Sequence, residues 1–205
     1  MKYQALPKFV LFLVIMTLNT SLMSQEAKPK PKPKPSFSHK GIKASLGSAS
    51  FDMISERGLE AGEGGVLSLG YGMTDRTSFW LSLLGAEHHP AGESEEVTEF
   101  AGLELNLQHK FRTDSRWQPY GKLGFGLYSL QEMDSQFTLV GTGINLALGM
   151  DYFFSKHFGV GAEIMYKKLD YVVQSQEVSD GALVTDLEPN LNGDTAGFMI
   201  TITVQ

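Results

Sequence analysis

The sequence predicts an all-β chain: an eight-stranded antiparallel transmembrane up-and-down β-barrel, preceded by a signal peptide and a Lys/Pro linker. Three observations predict it. Apolar residues recur with period two along successive segments between Gly41 and Gln205, which is the period of a strand and not of a helix. The connections between these segments alternate between tight polar turns and longer loops, as they do in membrane barrels. A short apolar run near the N-terminus has the length of an export signal.

That run is Phe9–Leu18 (FVLFLVIMTL), flanked at the start by Lys2 and Lys8. It falls short of the roughly 20 apolar residues that cross a bilayer, which argues against an uncleaved anchor. Ser21 and Ser24 supply the small residues of a cleavage site, so residues 1–24 read as a signal peptide and Gln25 as the first mature residue. The chain has no cysteine. A lipoprotein anchor, disulfides and a cysteine-based metal site or nucleophile are therefore all excluded. Residues 25–40 form a periplasmic linker built on AKPKPKPKP, Ala27–Pro35. Proline fixes φ and lacks a donor, and the lysines repel one another, so the segment reads as an extended spacer. It is either a solvated tether or a cationic strap against anionic envelope groups.

The barrel occupies residues 41–205. Its first three segments are Gly41–Phe51, Gly65–Met73 and Ser78–Glu87. In the third, Phe79, Leu81 and Leu83 compete with Trp80 and Leu84 for the outer face, and the sequence leaves the orientation open. In Val97–Arg112, Leu103, Leu105 and Leu107 alternate with Gly102, Glu104 and Asn106. In Gln118–Leu130, Leu123, Phe125 and Leu127 oppose Tyr120, Lys122 and Tyr128. Thr138–Phe154 separates most cleanly, with Ile144, Leu146, Leu148 and Met150 on one face and Gly143, Asn145, Gly149 and Asp151 on the other. Phe158–Val172 sets Val160, Ile164 and Tyr166 against Gly161, Glu163 and Lys167. Thr195–Gln205 sets Phe198, Ile200 and Ile202 against Gly197, Thr201 and Thr203. The tight turns are Thr74–Thr77, Thr113–Trp117 and Ser155–His157. The longer connections are Asp52–Gly64, His88–Glu96, Glu132–Gln136 and Gln174–Gly193.

Alternation alone also fits a soluble periplasmic, lipocalin-like barrel with an apolar ligand inside. The polar face weighs against it. That face carries Lys43, Glu104, Lys110, Lys122, Asp151, Glu163 and Lys167 among many glycines. Near-balanced charge and small residues suit the narrow lumen of eight strands, whereas glycines weaken a water-facing strand. On the apolar face the exceptions, Glu99, His109 and Lys168, lie near strand ends, where charge costs little. Tyr71, Phe111, Trp117, Tyr152 and Phe154 gather beside the tight turns. Each alone fits core packing; together they read as an interfacial girdle.

With these segments laid out, the chain resembles the OmpA/OmpX-like family of small outer-membrane barrels. The stretches SLGYGMTDR (Ser68–Arg76), PYGKLGFGLY (Pro119–Tyr128) and FGVGAEIMYKKLDY (Phe158–Tyr171) carry the likeness over Gly41 to Gln205. It implies residence in the bacterial outer membrane. It also implies outer-membrane lipid, lipopolysaccharide and the barrel assembly machinery as partners. One departure is the C-terminus: such barrels often end on an aromatic, and this chain ends Thr203-Val204-Gln205. No peptidoglycan-binding domain follows the barrel, so a wall-tethering role is not expected.

The net charge of −6 becomes about −8 once Lys2 and Lys8 leave with residues 1–24, which excludes a nucleic-acid binder. The lumen charges read as a structural network, in which Glu104, Asp151 and Glu163 pair with Lys43, Lys110, Lys122 and Lys167, rather than as an ion path or general porin. His88 and His89 open a loop with Glu93, Glu95 and Glu96. Adjacent histidines point apart, so a solvated loop fits better than a divalent-cation site. An acidic loop of this kind could instead share calcium with lipopolysaccharide phosphates. The five histidines (His39, His88, His89, His109, His157) show no nucleophile–base–acid spacing suited to a lipid-modifying enzyme. Catalytic, cofactor and metal residues are thus expected to be none. The expected function is structural, adhesive or recognition-based, with an extracellular ligand met through the long loops, above all Gln174–Gly193; the alternatives are a lipid-modifying outer-membrane enzyme and the soluble lipocalin-like barrel.

Overall fold

The computed structural model describes residues 38–54, 60–89, 97–132, 137–178 and 181–205. The signal peptide, most of the linker and Glu93, Glu95 and Glu96 lie outside the described residues. The period-two segments form strands β1 (Gly41–Met53), β2 (Gly62–Gly72), β3 (Thr77–His88), β4 (Thr98–Lys110), β5 (Trp117–Glu132), β6 (Phe137–Phe153), β7 (Phe158–Val178), β8 (Gly181–Asn192) and β9 (Thr195–Val204). Consecutive strands pair antiparallel from β1 to β7; β7 then pairs with β9, and β9 with β1. Eight strands therefore close a barrel with no edge of its own.

The tight turns are built by hydroxyl side chains. Thr74 Oγ1 accepts from the backbone N–H groups of Arg76 (3.1 Å) and Thr77 (2.9 Å), and Ser155 Oγ accepts from those of His157 (3.2 Å) and Phe158 (3.0 Å). Such side chains satisfy turn donors that the ladder cannot reach.

The outer surface is the apolar face. Leu67, Leu81, Leu105, Phe125, Ile144, Ile164 and Ile200 are all exposed, whereas Lys43, Glu104, Lys110, Asp151, Glu163 and Lys167 are buried. This corrects the lipocalin-like alternative, which needs the reverse. The orientation of β3 is settled by its neighbours. Phe79, Leu81 and Leu83 face out and Trp80 and Leu84 face in. Trp80 stands opposite Gly70, and a Cβ at Gly70 would sit 2.6 Å from the indole ring. The glycine makes the room that the tryptophan fills.

The connection Gln174–Gly193, expected as a loop, is instead largely strand. β7 continues past the point where β9 leaves it: Lys167↔Thr195 is the last β7–β9 pair, and β8 pairs with β7 from Asp170↔Asn192 to Val178↔Gly181. A ninth strand thus stands on the barrel wall at the long-loop end, beside β7 and above β9.

Candidate functional site

Because inward residues come from every other position of eight strands, the lumen is stacked in layers. At the short-turn end, periplasmic in barrels of this kind, the residues entering β1 cross the mouth. His39 is fully buried there. Its ring packs against Phe153 at 5.2 Å, and its Nδ1 donates to Gln205 Oε1 at 2.8 Å. Burial, with Lys110 and Lys43 nearby, pushes the imidazole down to about 4, against the opposing pull of Gln205 and Asp75. Above it Lys110 Nζ donates to Asp151 Oδ2 and to Gln118 Oε1, each at 2.8 Å, and lies 4.5 Å from the centre of the Phe153 ring. Lys43 Nζ donates to Ser78 Oγ at 2.9 Å.

The middle layers hold three polar clusters. Lys122 pairs with Glu163 at 2.5 Å, and Tyr120 OH donates to the same carboxylate at 2.8 Å. Trp80 Nε1 donates to Gln108 Oε1 at 2.8 Å. Glu104 is the hub. It pairs with Lys167 and accepts from Tyr128 OH (2.9 Å), Asn145 Nδ2 (3.0 Å) and Asn106 Nδ2 (3.1 Å). These partners come from β4, β5, β6 and β7, so the hub ties facing walls together. A cavity between Ser45, Ser68, Trp80 and Thr201 has a volume of about 20 Å³, room for roughly one water.

All seven charged residues read from the sequence face the lumen; six are buried and Lys122 is nearly so. Three of the four lysines find a carboxylate. Lys43 does not among the described residues. Sequence reading put Tyr120, Tyr128, Asn106, Asn145 and Gln108 on the polar face, but it did not name them, or Gln118, as members of the network. It also did not anticipate the uppermost layer, which is apolar. Phe51, Met53, Phe100, Leu130, Leu139, Leu169 and Tyr171 pack there, with Phe100 stacked on Tyr128 at 5.8 Å and edge-on to Phe51 at 5.7 Å.

The histidines do not converge. His88 is buried beside Phe100 and its Nδ1 donates to the Glu60 carbonyl at 3.0 Å, while His89 is exposed. Among the described residues no three His, Asp or Glu side chains are placed to hold a metal ion. His109 Nδ1 lies 3.3 Å from Thr77 Oγ1 on the outer face at the short-turn end. Around the outside, Trp117 meets Tyr152 at 4.7 Å and Tyr152 meets Phe154 at 6.0 Å, so three of the five girdle residues form one patch beside the turns, while Phe111 packs edge-on to His109 at 6.0 Å.

A closed barrel with an apolar exterior and a packed polar lumen defines an outer-membrane β-barrel protein. The chain belongs to the family described as outer membrane protein beta-barrel domain, whose pattern matches residues 10–201. No curated protein matches its sequence. Among solved structures it is similar to Neisserial surface protein A (NspA), with 14% identity, 80% of this chain and 94% of that chain covered, and a TM-score of 0.54. The N-terminal β-barrel domain of Pseudomonas aeruginosa OprF follows at 18% identity, 78% and 96% coverage and a TM-score of 0.47. Ail, the attachment invasion locus protein of Yersinia pestis, follows at 14% identity, 80% and 98% coverage and a TM-score of 0.46. At these identities the likeness is one of fold. The protein resides in the bacterial outer membrane.

Proposed function

We propose that this protein is a non-enzymatic barrel that presents the β7–β8 hairpin for recognition outside the cell. In this reading the lumen network is structural: it closes the barrel to solutes and stiffens it as a scaffold. Residues 1–24 export the chain and residues 25–40 hold a periplasmic tether. Outer-membrane lipid, lipopolysaccharide and the barrel assembly machinery are its envelope partners.

The observation that carries the reading is the hairpin itself. Leu183 and Val184 are neighbours in sequence, so they point to opposite faces of β8, yet both are more than half exposed. A strand bare on both faces, raised on a rigid wall, is placed to meet something other than its own barrel. The test replaces residues 174–192 with a short turn and follows two readouts. Retention of a gel shift on boiling shows that the barrel still closes. Loss of adhesion or ligand binding by intact cells is the expected result; unchanged surface phenotypes would overturn the proposal.

A further inference from the structure

β8 pairs with β7 along one edge, and among the described residues no strand pairs with its other edge. Below it, β9 bonds β1 as far as Thr195↔Met53, and Ile54 N–H donates to the Asp194 carbonyl at 2.9 Å. Among the described residues, nothing in that ladder continues alongside β8. The barrel, which removes every edge from its own wall, therefore exposes one on the hairpin.

The two halves of β8 differ. From Gly181 to Asp186 it runs in regular register with Val178 to Val173. This half carries no charge before Asp186, and it presents Leu183 and Val184. From Leu187 to Asn190 the pairing is interrupted, and the segment contains Glu188 and Pro189. Charge and proline are what proteins place on edges to stop unwanted pairing. Here they guard only the lower half.

Electrostatics narrows the occupant. From Leu169 to the end the sequence has no Lys, Arg or His, while the described part of the hairpin and its base carries Asp170, Glu177, Asp186, Glu188 and Asp194. A second copy would bring an equally anionic hairpin with no base to compensate, and like charges on paired strands repel. A basic segment is complementary.

Resting on the proposed recognition role, we infer that the Gly181–Thr185 edge of β8 binds an extended, lysine- or arginine-bearing polypeptide segment by strand addition. Backbone hydrogen bonds give the affinity, Leu183 and Val184 supply apolar contact on either face, and Asp186 and Glu188 select the basic partner.

The test uses the full-length protein in lipid nanodiscs and three synthetic peptides. One alternates valine and lysine, one alternates valine and glutamate, and one is the valine–lysine peptide with alternate backbone nitrogens methylated. The valine–lysine peptide is expected to bind, the glutamate peptide to fail, and methylation to weaken binding roughly tenfold or more, because it removes several net-favourable hydrogen bonds. A double variant, Asp186→Lys with Glu188→Lys, is expected to reverse the preference toward the glutamate peptide. Equal affinity for the methylated and unmethylated peptides would overturn strand addition. Equal affinity for basic and acidic peptides would overturn the selection by charge. Self-association through the hairpin in the absence of peptide would assign the edge to a second copy and overturn the inference. If these tests fail while hairpin replacement still abolishes surface binding, the recognition role stands and only the edge mechanism falls.

Discussion

Lys43 Nζ donates to Ser78 Oγ at 2.9 Å, and no carboxylate among the described residues lies within ion-pairing distance of it. Lys110, on β4 three strands along the sheet, is held by Asp151 at 2.8 Å. The same residue type thus occurs buried in one lumen with and without a counter-charge. An unpaired buried charge is a cost, whereas removing one member of a pair strands the other. Lys43→Met is expected to be neutral or stabilising. Lys110→Met is expected to destabilise by roughly 3–5 kcal/mol by leaving Asp151 uncompensated. Urea unfolding in detergent micelles, followed by the gel shift, checks the contrast; equal losses in the two variants would contradict it.

The Glu104 hub makes a second expectation. Its carboxylate satisfies Lys167, Tyr128, Asn106 and Asn145 at once. Glu104→Ala leaves the ammonium and three donors without their acceptor and is expected to cost roughly 3–5 kcal/mol. The double variant Glu104→Leu with Lys167→Met removes both charges and is expected to recover part of that loss. A double-mutant cycle measures the coupling, and additive losses would show that the pair does not act as a unit.

Much of this arrangement was legible in the sequence because strand parity is a local property. Leu105 and Glu104 are adjacent, and a pleated strand must send them to opposite faces; the structure places one on the surface and the other in the lumen. What parity cannot say is which charges meet. Glu104 and Lys167 lie on β4 and β7, brought together only by closure of the barrel. Parity also fails where both faces are apolar. Phe79 and Trp80 looked equivalent until Gly70, across the β2–β3 pair, made space for the indole. β8 was hidden for another reason. Its acidic residues and Pro189 read as loop composition, and its pairing with an extended β7 is a tertiary fact.

His39 gives a pH expectation with a definite sign. An imidazole ordinarily titrates near 6.5, and here it is pushed down to about 4 by burial and by the lysines above it. Between those values the unfolded chain takes up the proton and the folded chain does not. Stability therefore falls as pH drops from 6.5 toward 4, with no contribution from this group above 6.5. The His39→Gln variant is expected to lose less stability than the parent between about pH 7 and pH 4.5. Comparing urea midpoints at the two pH values isolates the histidine from the other titrating groups. Identical losses in parent and variant would show that the mouth does not sense its protonation.

The last expectation concerns where the bilayer sits. Leu105 on β4 and Leu183 on β8 are both exposed on the protein surface, but they should be bathed in different media. Leu105 lies midway between the girdle residue Phe111 and the carboxylate Glu99 on the outward face of β4. Glu99 stands opposite Glu87, which stands opposite Glu63. A row of three outward carboxylates is not compatible with hydrocarbon, so it marks the upper limit of the lipid on that side. β8 pairs only with the part of β7 beyond its last pair with β9. An arginine at position 105 would stand near the bilayer midplane and is expected to cost roughly 2–4 kcal/mol. An arginine at position 183 would stand in water and is expected to change stability by about 0.5 kcal/mol or less. Refolding into lipid vesicles and unfolding by denaturant compares Leu105→Arg with Leu183→Arg directly. A large cost at 183 would place the hairpin in lipid and remove the free edge from solvent. A small cost at 105 would mean that the apolar band on β4 is not the one the membrane grips.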